Sequence, residues 1–176
     1  MLRRGGQSVI AVNGGFWQLR WSLPQDPRVE VHDRTNIRYL DPQEIGEPAQ
    51  LIVGDLSFIS LKLVIPALVG ASSLDAEYLL MVKPQFEIGR EDLGAGGVVR
   101  DPEDHFRTVL AVIAAAKENG LGLKQVAASP LPGPAGNVEY FVYLGRGAAM
   151  PPDEEVRGLV RYAIANGPAG QEKTEN

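Results

Sequence analysis

The 176-residue sequence contains no cysteine, only two histidines and no long apolar run. The lack of cysteine excludes disulfides and cysteine-ligated zinc, and His32 and His105 lie too far apart in sequence to indicate a metal site. No stretch approaches the roughly 18 apolar residues of a membrane span, and the N-terminus has no secretory apolar region. These absences predict a cytoplasmic protein with no metal and no membrane partner.

Two catalytic motifs are also missing from the sequence. It contains neither G-x-x-x-x-G-K-[ST] nor G-x-S-x-G, so phosphoryl transfer and serine hydrolysis lack the motifs that usually indicate them. The formal net charge of −5 argues against nucleic-acid binding by bulk electrostatics. The first 40 residues nevertheless carry six arginines against three carboxylates. This basic segment is compatible with an RNA partner, although a solvated surface explains it more simply.

Strand and helix patterns alternate along the chain, which predicts an α/β domain with a largely parallel sheet. Strands are predicted at 9–12, 28–33, 50–55, 77–83, 122–128 and 138–144. Helices are predicted at 16–23, 61–70, 102–119 and 152–166, with a short turn or helix over 41–47. The runs 50–55 and 77–83 are continuously apolar, which is typical of strands buried on both faces.

Glycines follow the first predicted strand in "VIAVNGGFWQL", residues 9–19. A strand that runs directly into glycines often presents backbone amides to a nucleotide cofactor. The stretch is therefore either a cofactor loop or the next strand of such a fold, with the loop itself missing.

Three ionisable side chains are predicted to meet at one edge of the sheet. Asp55 ends one apolar strand and Lys83 ends the next, and ligands bind at the carboxyl ends of strands in an open parallel sheet. If the last two strands form an antiparallel hairpin, Glu139 begins its strand at that same edge. Such a cluster is either a structural salt-bridge network or an active site, and the strand ends alone do not separate the two.

The segments beside these residues favour the active-site interpretation. Residues 83–102 carry four glycines and show no helical period, and a loop of this length in a compact domain is usually functional or disordered. Pro84 and the proline-rich segment 130–134 stiffen the approaches to Lys83 and Glu139. Rigid supports around a charged edge suit a preorganised site.

The aromatic residues near the predicted elements fall into two groups. Phe16, Trp17 and Trp21 have helical spacing and are predicted to lie in the core. Phe58 and Phe86 each follow a charged residue of the cluster by three positions. They are the better candidates for contact with a base or a cofactor ring.

Four motifs together resemble one known family. They are "VGDLSFISL" (53–61), "LLMVKPQFEIG" (79–89), "GGVVRDP" (96–102) and "ASPLPGPAGNVEYF" (128–141). The resemblance is to the TlyA, or hemolysin A-like, family of ribosomal RNA 2′-O-methyltransferases, and it extends from about residue 2 to residue 168. It implies a Rossmann-like, class I methyltransferase fold of the FtsJ type that uses S-adenosylmethionine. The implied sheet has the strand order 3-2-1-4-5-7-6, with its last strand antiparallel.

The resemblance also implies roles for individual residues. The family acts on a ribose 2′-hydroxyl with a Lys-Asp-Lys-Glu tetrad, whose last three members correspond to Asp55, Lys83 and Glu139. Lys83 is expected to deprotonate or orient the hydroxyl, while the two carboxylates position it. Asn13, Asp55, Leu56 and Phe58 are the expected cofactor-binding residues, and ribosomal RNA or a ribosomal subunit is the expected partner.

The sequence departs from the family near its beginning. It has no counterpart of the first lysine of the tetrad, of the glycine-rich cofactor loop, or of the small N-terminal RNA-binding domain. The stretch 9–19 therefore corresponds to the second strand of the family and its turn. Asn13 stands where the family has an acid for the cofactor ribose, and an amide lacks the charge and the bidentate acceptor of a carboxylate. We expect a partial methyltransferase domain over 1–168 without its first strand, followed by a polar tail over 169–176.

The missing strand yields a structural expectation. Either strand 9–12 pairs directly with the strand that ends at Asp55, or the first ~40 residues are loosely held or exchanged with another copy in a homo-oligomer or strand-swapped dimer. Two functions remain open: an rRNA 2′-O-methyltransferase, or an inactive truncated domain that binds RNA or a partner protein. Membrane lysis is disfavoured because the chain has no cationic amphipathic helix and no long apolar segment.

Overall fold

The computed structural model describes residues 1–14 and 25–171. The strands in these ranges are β1 (Val9–Asn13), β2 (Val29–Asp33), β3 (Ala49–Gly54), β4 (Ser72–Val82), β5 (Leu121–Ala128) and β6 (Tyr140–Arg146). The α-helices are α1 (Leu61–Gly70), α2 (Pro84–Glu87), α3 (Pro102–Glu118), α4 (Asp153–Ala165) and α5 (Pro168–Gln171). The predicted helix 16–23, with its three aromatic residues, lies outside the described residues.

The strands form two sheets. β1 pairs with β2 in parallel, and the other four strands form a sheet in the order β3-β4-β6-β5. In this second sheet β3 is parallel to β4, whereas β6 is antiparallel to both of its neighbours. The predicted hairpin of the last two strands is confirmed. Direct pairing of the first strand with the strand that ends at Asp55 is wrong, because β1 and β3 belong to different sheets.

One face of the four-stranded sheet carries the main core. Tyr78, Leu80 and Val82 of β4 alternate with less buried residues, as a strand with one fully covered face requires. The four residues predicted to share one side of the last strand segment, Val138, Tyr140, Val142 and Leu144, are all buried. Helices α1, α3 and α4 contribute most of the other core residues, and β5 and α5 add a few more.

The other face of this sheet is less covered, which corrects the expectation for residues 50–55. β3 is not buried on both faces, because Leu51 and Val53 are 46% and 55% exposed. A continuous apolar run therefore marks β3 as a strand but does not predict that both its faces are covered. Leu51 and Val53 thus leave about half of their surface exposed to solvent.

Capping residues define the helix starts as the sequence predicts. The side chain of Ser60 accepts a hydrogen bond from the Lys62 amide at the start of α1, and Asp101 accepts one from the Glu103 amide at the start of α3. Both residues satisfy amides that a helix N-terminus leaves without an internal partner. Each cap lies at the end of a segment that leaves the carboxyl end of a strand. The segment before α1 follows β3, and the segment before α3 follows β4.

Two segments contain more helix than the sequence suggests. The segment after Lys83 begins with the single turn α2 and continues through two 3-10 turns, although its sequence has no helical period. Near the C-terminus, α5 places Ala169 in the core with only 6% of it exposed. Residue 169, where the polar tail was expected to begin, therefore lies in the core. No helix among the described residues is long and apolar enough to cross a membrane.

Candidate active site

Lys83 joins the two predicted carboxylates. Its Nζ lies 2.7 Å from Asp55 Oδ1 and 3.6 Å from Glu139 Oε1. Nζ also donates a hydrogen bond to Ser57 Oγ at 3.3 Å. The three residues that the sequence placed at one edge of the sheet are thus brought into direct contact.

Sheet topology explains why residues so distant in sequence meet. Asp55 follows β3 and Lys83 follows β4, which are parallel neighbours. Glu139 precedes β6, which runs antiparallel beside β4 and pairs Tyr140 with Val82. The carboxyl ends of two strands and the amino end of a third therefore lie side by side at one edge.

The two carboxylates differ in their exposure to water. The side chain of Glu139 is 8% exposed and that of Lys83 is 12% exposed, whereas the Asp55 side chain is 66% exposed. Water screens the attraction of Lys83 to Asp55 far more than its attraction to Glu139. Glu139 is the fixed, buried partner, and Asp55 is the partner in contact with solvent.

The loop before β6 is shaped around Glu139. A Cβ added to Gly133 would lie 2.9 Å from Glu139 Oε1, so a larger residue there would displace the carboxylate. Asn137, which is 2% exposed, accepts a hydrogen bond from the Val99 amide and donates one to the Gly97 carbonyl. The loops before α3 and before β6 are therefore linked beside the lysine cluster.

Phe58 and Phe86 form an aromatic contact at the same edge. Their ring centroids lie 5.1 Å apart at an interplanar angle of 46°. Phe58 is 90% exposed and has a φ of +63°, a conformation that is unfavourable for a residue with a β-carbon. An exposed aromatic ring held in this conformation beside Lys83 is available for contact with a planar ligand.

Glu87, which the sequence did not reveal, is a buried carboxylate directly after Phe86. Glu87 accepts hydrogen bonds from Ser60 Oγ at 2.5 Å and from the Leu61 amide at 2.6 Å. Burial raises the pKa of Glu87 above its ordinary value, against the opposing effects of these two hydrogen bonds and of Lys62. No local spacing in the sequence signals this contact, because the partners of Glu87 lie 26 and 27 residues earlier in the chain.

The predicted cofactor residues occupy two parts of the molecule. Asp55 and Phe58 lie at the lysine cluster, and Leu56 between them packs partly buried against the main core. Asn13 ends β1 in the other sheet, in register with Asp33 at the end of β2. The Asn13 carbonyl accepts a hydrogen bond from the Thr35 amide at 3.0 Å.

The FtsJ-like methyltransferase family matches residues 1–146 of the chain. Among curated proteins, the 16S/23S rRNA (cytidine-2′-O)-methyltransferase TlyA of Mycobacterium tuberculosis is 55% identical over 144 residues. The matched region covers 82% of this chain and 54% of that protein. The chain thus spans about half the length of this curated relative.

Solved structures agree with this assignment. A protein of Streptococcus thermophilus described as a candidate hemolysin has a TM-score of 0.89 and 35% identity, over 100% of this chain and 62% of that one. A SAM-dependent methyltransferase of Methanosarcina mazei has a TM-score of 0.54 and 13% identity, over 79% of this chain and 82% of that one. The second likeness shows a shared Rossmann-like fold, so the predicted fold class is confirmed. Because the family match covers most of its residues, the chain belongs to the FtsJ-like methyltransferase family.

Proposed function

We propose that this protein is a 2′-O-ribose methyltransferase that moves a methyl group from S-adenosylmethionine to a ribose hydroxyl of ribosomal RNA. The observation that carries the proposal is the Lys83 ammonium held between Asp55 and Glu139 where three strand ends meet. Membership of the FtsJ-like family and the ribose-directed activity named for the TlyA relative support the same chemistry. If ribosomal RNA is the substrate, we expect the protein to act in the cytoplasm, where ribosomes are.

Lys83 orients the hydroxyl in this mechanism. Two carboxylates stabilise a positive charge on its Nζ, and an ammonium group donates hydrogen bonds to a hydroxyl oxygen. Glu139 and Asp55 contact Nζ from two sides. They fix the position of Nζ and therefore the direction in which it donates to the hydroxyl oxygen of the ribose. Correct orientation of two reactants supplies much of the rate in such a transfer. The O–C bond would form as the methyl–sulfur bond of the sulfonium breaks and leaves a thioether, and the hydroxyl proton would pass to the solvent-exposed Asp55 carboxylate and from there to water.

The residues at the ends of β1 and β2 fit the ribose portion of the cofactor. S-adenosylmethionine supplies an electrophilic methyl group on a sulfonium. Asn13 and Asp33 are register partners at the ends of two parallel strands, and their amide and carboxylate groups offer donors and acceptors for vicinal hydroxyls. Asp33 thus restores a negative charge beside the position where Asn13 replaces the acid of the family. Asp55, which belongs to the lysine cluster, and the adjacent Leu56 are the other proposed contacts of the cofactor.

The aromatic pair fits the base of the target nucleotide. Phe58 presents most of its ring to solvent three residues after Asp55 and contacts Phe86. Stacking of a base on an aromatic ring is sequence-tolerant and is worth about 1–3 kcal/mol. A base held on Phe58 would bring the attached ribose towards Lys83.

The test is transfer of a labelled methyl group from S-adenosylmethionine to an rRNA fragment. Lys83→Met is expected to lower the rate by about 100-fold or more, because a misplacement of about 1 Å between reacting groups can cost about that much. Lys124→Met is the matched control. Lys124 pairs with Glu77, which lies six residues before Lys83 on β4, or about 20 Å along a strand.

Three outcomes are informative. Loss of transfer in Lys83→Met, together with retention in Lys124→Met, supports the proposal. Equal rates in both variants contradict the role of Lys83. If calorimetry shows no S-adenosylmethionine binding while the chain binds RNA with an affinity that falls with salt, the inactive RNA-binding domain is the better account.

A further inference from the structure

Glu87 is a buried carboxylate outside the Lys83 cluster. Its side chain is 1% exposed, and its two oxygens accept hydrogen bonds from Ser60 Oγ and from the Leu61 amide. The nearest cation, Lys62 Nζ, lies 4.0 Å away. Both hydrogen-bond donors lie 26 or 27 residues earlier in sequence, so the contact is tertiary.

The contact joins the two segments that carry the site. Glu87 ends the single turn α2, which begins directly after Lys83. Ser60 and Leu61 end the loop that begins at Asp55 and start α1. Glu87 therefore fastens the far ends of two segments whose near ends are joined by the Lys83–Asp55 ion pair.

A third contact lies between these two ends. Phe58 belongs to the first segment and Phe86 to the second, and their rings are in contact. The positive φ of Phe58 is unfavourable unless the surrounding structure maintains it. The hydrogen bonds of Ser60 and Leu61 to Glu87 hold the backbone two and three residues after Phe58, which is where such support is needed.

A carboxylate at this place is unfavourable for stability alone. Burial raises the pKa of Glu87, which means that the folded protein disfavours its charged form relative to water. A neutral side chain would avoid this desolvation. The presence of a hydrogen-bonded carboxylate here is explained by the loop that it holds in place, which ends at Ser60 and Leu61.

We propose that Glu87 is a positioning residue, which holds the loop 55–60 so that Asp55 reaches Lys83 and Phe58 stays at the edge of the site. This inference rests on the proposed methyltransferase function. Glu87 acts through the loop and does not touch the substrate. Its loss should therefore slow the transfer step more than it weakens RNA binding.

The test compares Glu87→Ala with Glu87→Gln. Glu87→Ala removes both acceptors and is expected to lower kcat about 10- to 100-fold, since small displacements of reacting groups have effects of this size, with KM for RNA changed less than threefold. Glu87→Gln is expected to stay within threefold of the wild type. Its amide oxygen accepts from the Leu61 amide, and its NH₂ group donates to Ser60 Oγ.

Two further variants separate positioning from general destabilisation. Ser60→Ala removes one of the two hydrogen bonds to Glu87, together with the cap of α1, and should give an intermediate kcat. Ser72→Ala, at the opposite end of β4, removes a buried hydroxyl bonded to Tyr78 and Arg146 and should leave kcat unchanged. If Ser72→Ala lowers kcat as much as Glu87→Ala, or if Glu87→Gln fails to restore it, the proposal is overturned.

A readout without activity keeps this proposal distinct from the proposed function. The NMR signal of the Lys83 side chain, assigned by its loss in Lys83→Met, should move towards that of a free lysine in Glu87→Ala and stay in place in Ser72→Ala. An unchanged signal in Glu87→Ala overturns the positioning role. If the wild type transfers no methyl group, the proposed function fails, while the Lys83 signal still decides the role of Glu87.

Discussion

At the scale of residues, the proposed reaction depends on Lys83, whose two carboxylate partners differ in their exposure to solvent. Glu139 is buried beside Gly133, whereas Asp55 is largely exposed. Breaking a buried pair leaves an uncompensated charge in a poorly solvated place. Losing an exposed partner costs little, because water replaces it. The two acids should therefore differ in their importance for folding while both serve the reaction.

We predict that Glu139→Gln lowers the free energy of unfolding by about 3 kcal/mol, because it removes the buried counter-charge of Lys83. Asp55→Asn is expected to lower it by less than about 1 kcal/mol. Urea denaturation of both variants at pH 7 measures the difference. Equal losses would show that exposure does not separate the two ion pairs.

Glu87 gives a prediction on pH. Its folded-state pKa lies above its ordinary value of 4.5, so the folded state binds more protons than the unfolded state between these two values. Stability contributed through this group is therefore present below pH 4.5 and lost as pH rises through the raised pKa. Relative to Glu87→Gln, the wild type should lose stability with rising pH in that window and then reach a plateau. A constant difference between their urea midpoints from pH 4 to 7 would contradict the assigned direction.

At the scale of elements, the site is formed by loops that are fastened to one another. Asn137 links the loop before β6 to the loop before α3 through the Val99 amide and the Gly97 carbonyl. Val99 is 4% exposed, so water does not readily replace the lost bond. These loops determine where Glu139 enters the site.

We predict that Asn137→Ala lowers the free energy of unfolding by about 2 kcal/mol, because it leaves a buried amide without its partner. Asn119→Ala is the control, since the Asn119 side chain donates to the Ala115 carbonyl within the end of the same helix, α3. Its cost should stay below about 1 kcal/mol. Similar losses in the two variants, measured by urea denaturation, would argue against the link between the loops.

Local patterns predicted the elements well where one residue type had one physical role. Asp101 and Ser60 cap their helices as expected, and the alternation after Val138 marks the buried side of β6. The sequence did not reveal Glu87, because its partners are 26 and 27 residues away and no local spacing records such a contact. The exposure of β3 was missed for a similar reason, since an apolar run does not specify what covers each face.

At the scale of the whole molecule, the order of strands allowed the candidate site to be predicted before any contact was known. A parallel pair followed by an antiparallel hairpin places Asp55, Lys83 and Glu139 at one edge. The sequence left the division into two sheets open, because direct pairing of β1 with β3 was one of the two expectations for the first strand. β1 and β3 lie in different sheets. Exchange of the first ~40 residues with another copy stays a prediction.

The division into two sheets predicts uneven protection from hydrogen exchange. β6 has a hydrogen-bonded neighbour on each side, whereas β1 and β2 have only each other among the described strands. Two-stranded pairs are marginally stable on their own, and weakly supported elements open more easily than the core. The amides of β1 should exchange at least about tenfold faster than those of β6. Equal rates by mass spectrometry or NMR would show that the two sheets open together.

The position of the transferred methyl group is the sharpest test of the proposed transfer to a ribose 2′-hydroxyl. A 2′-O-methyl group blocks alkaline cleavage of the neighbouring phosphodiester, because that cleavage needs a free 2′-hydroxyl. After reaction with labelled S-adenosylmethionine and an rRNA fragment, the account predicts label in alkali-resistant dinucleotides, and its loss in Lys83→Met but not in Lys124→Met. Label found only in alkali-sensitive mononucleotides, or unaffected by Lys83→Met, would contradict the account.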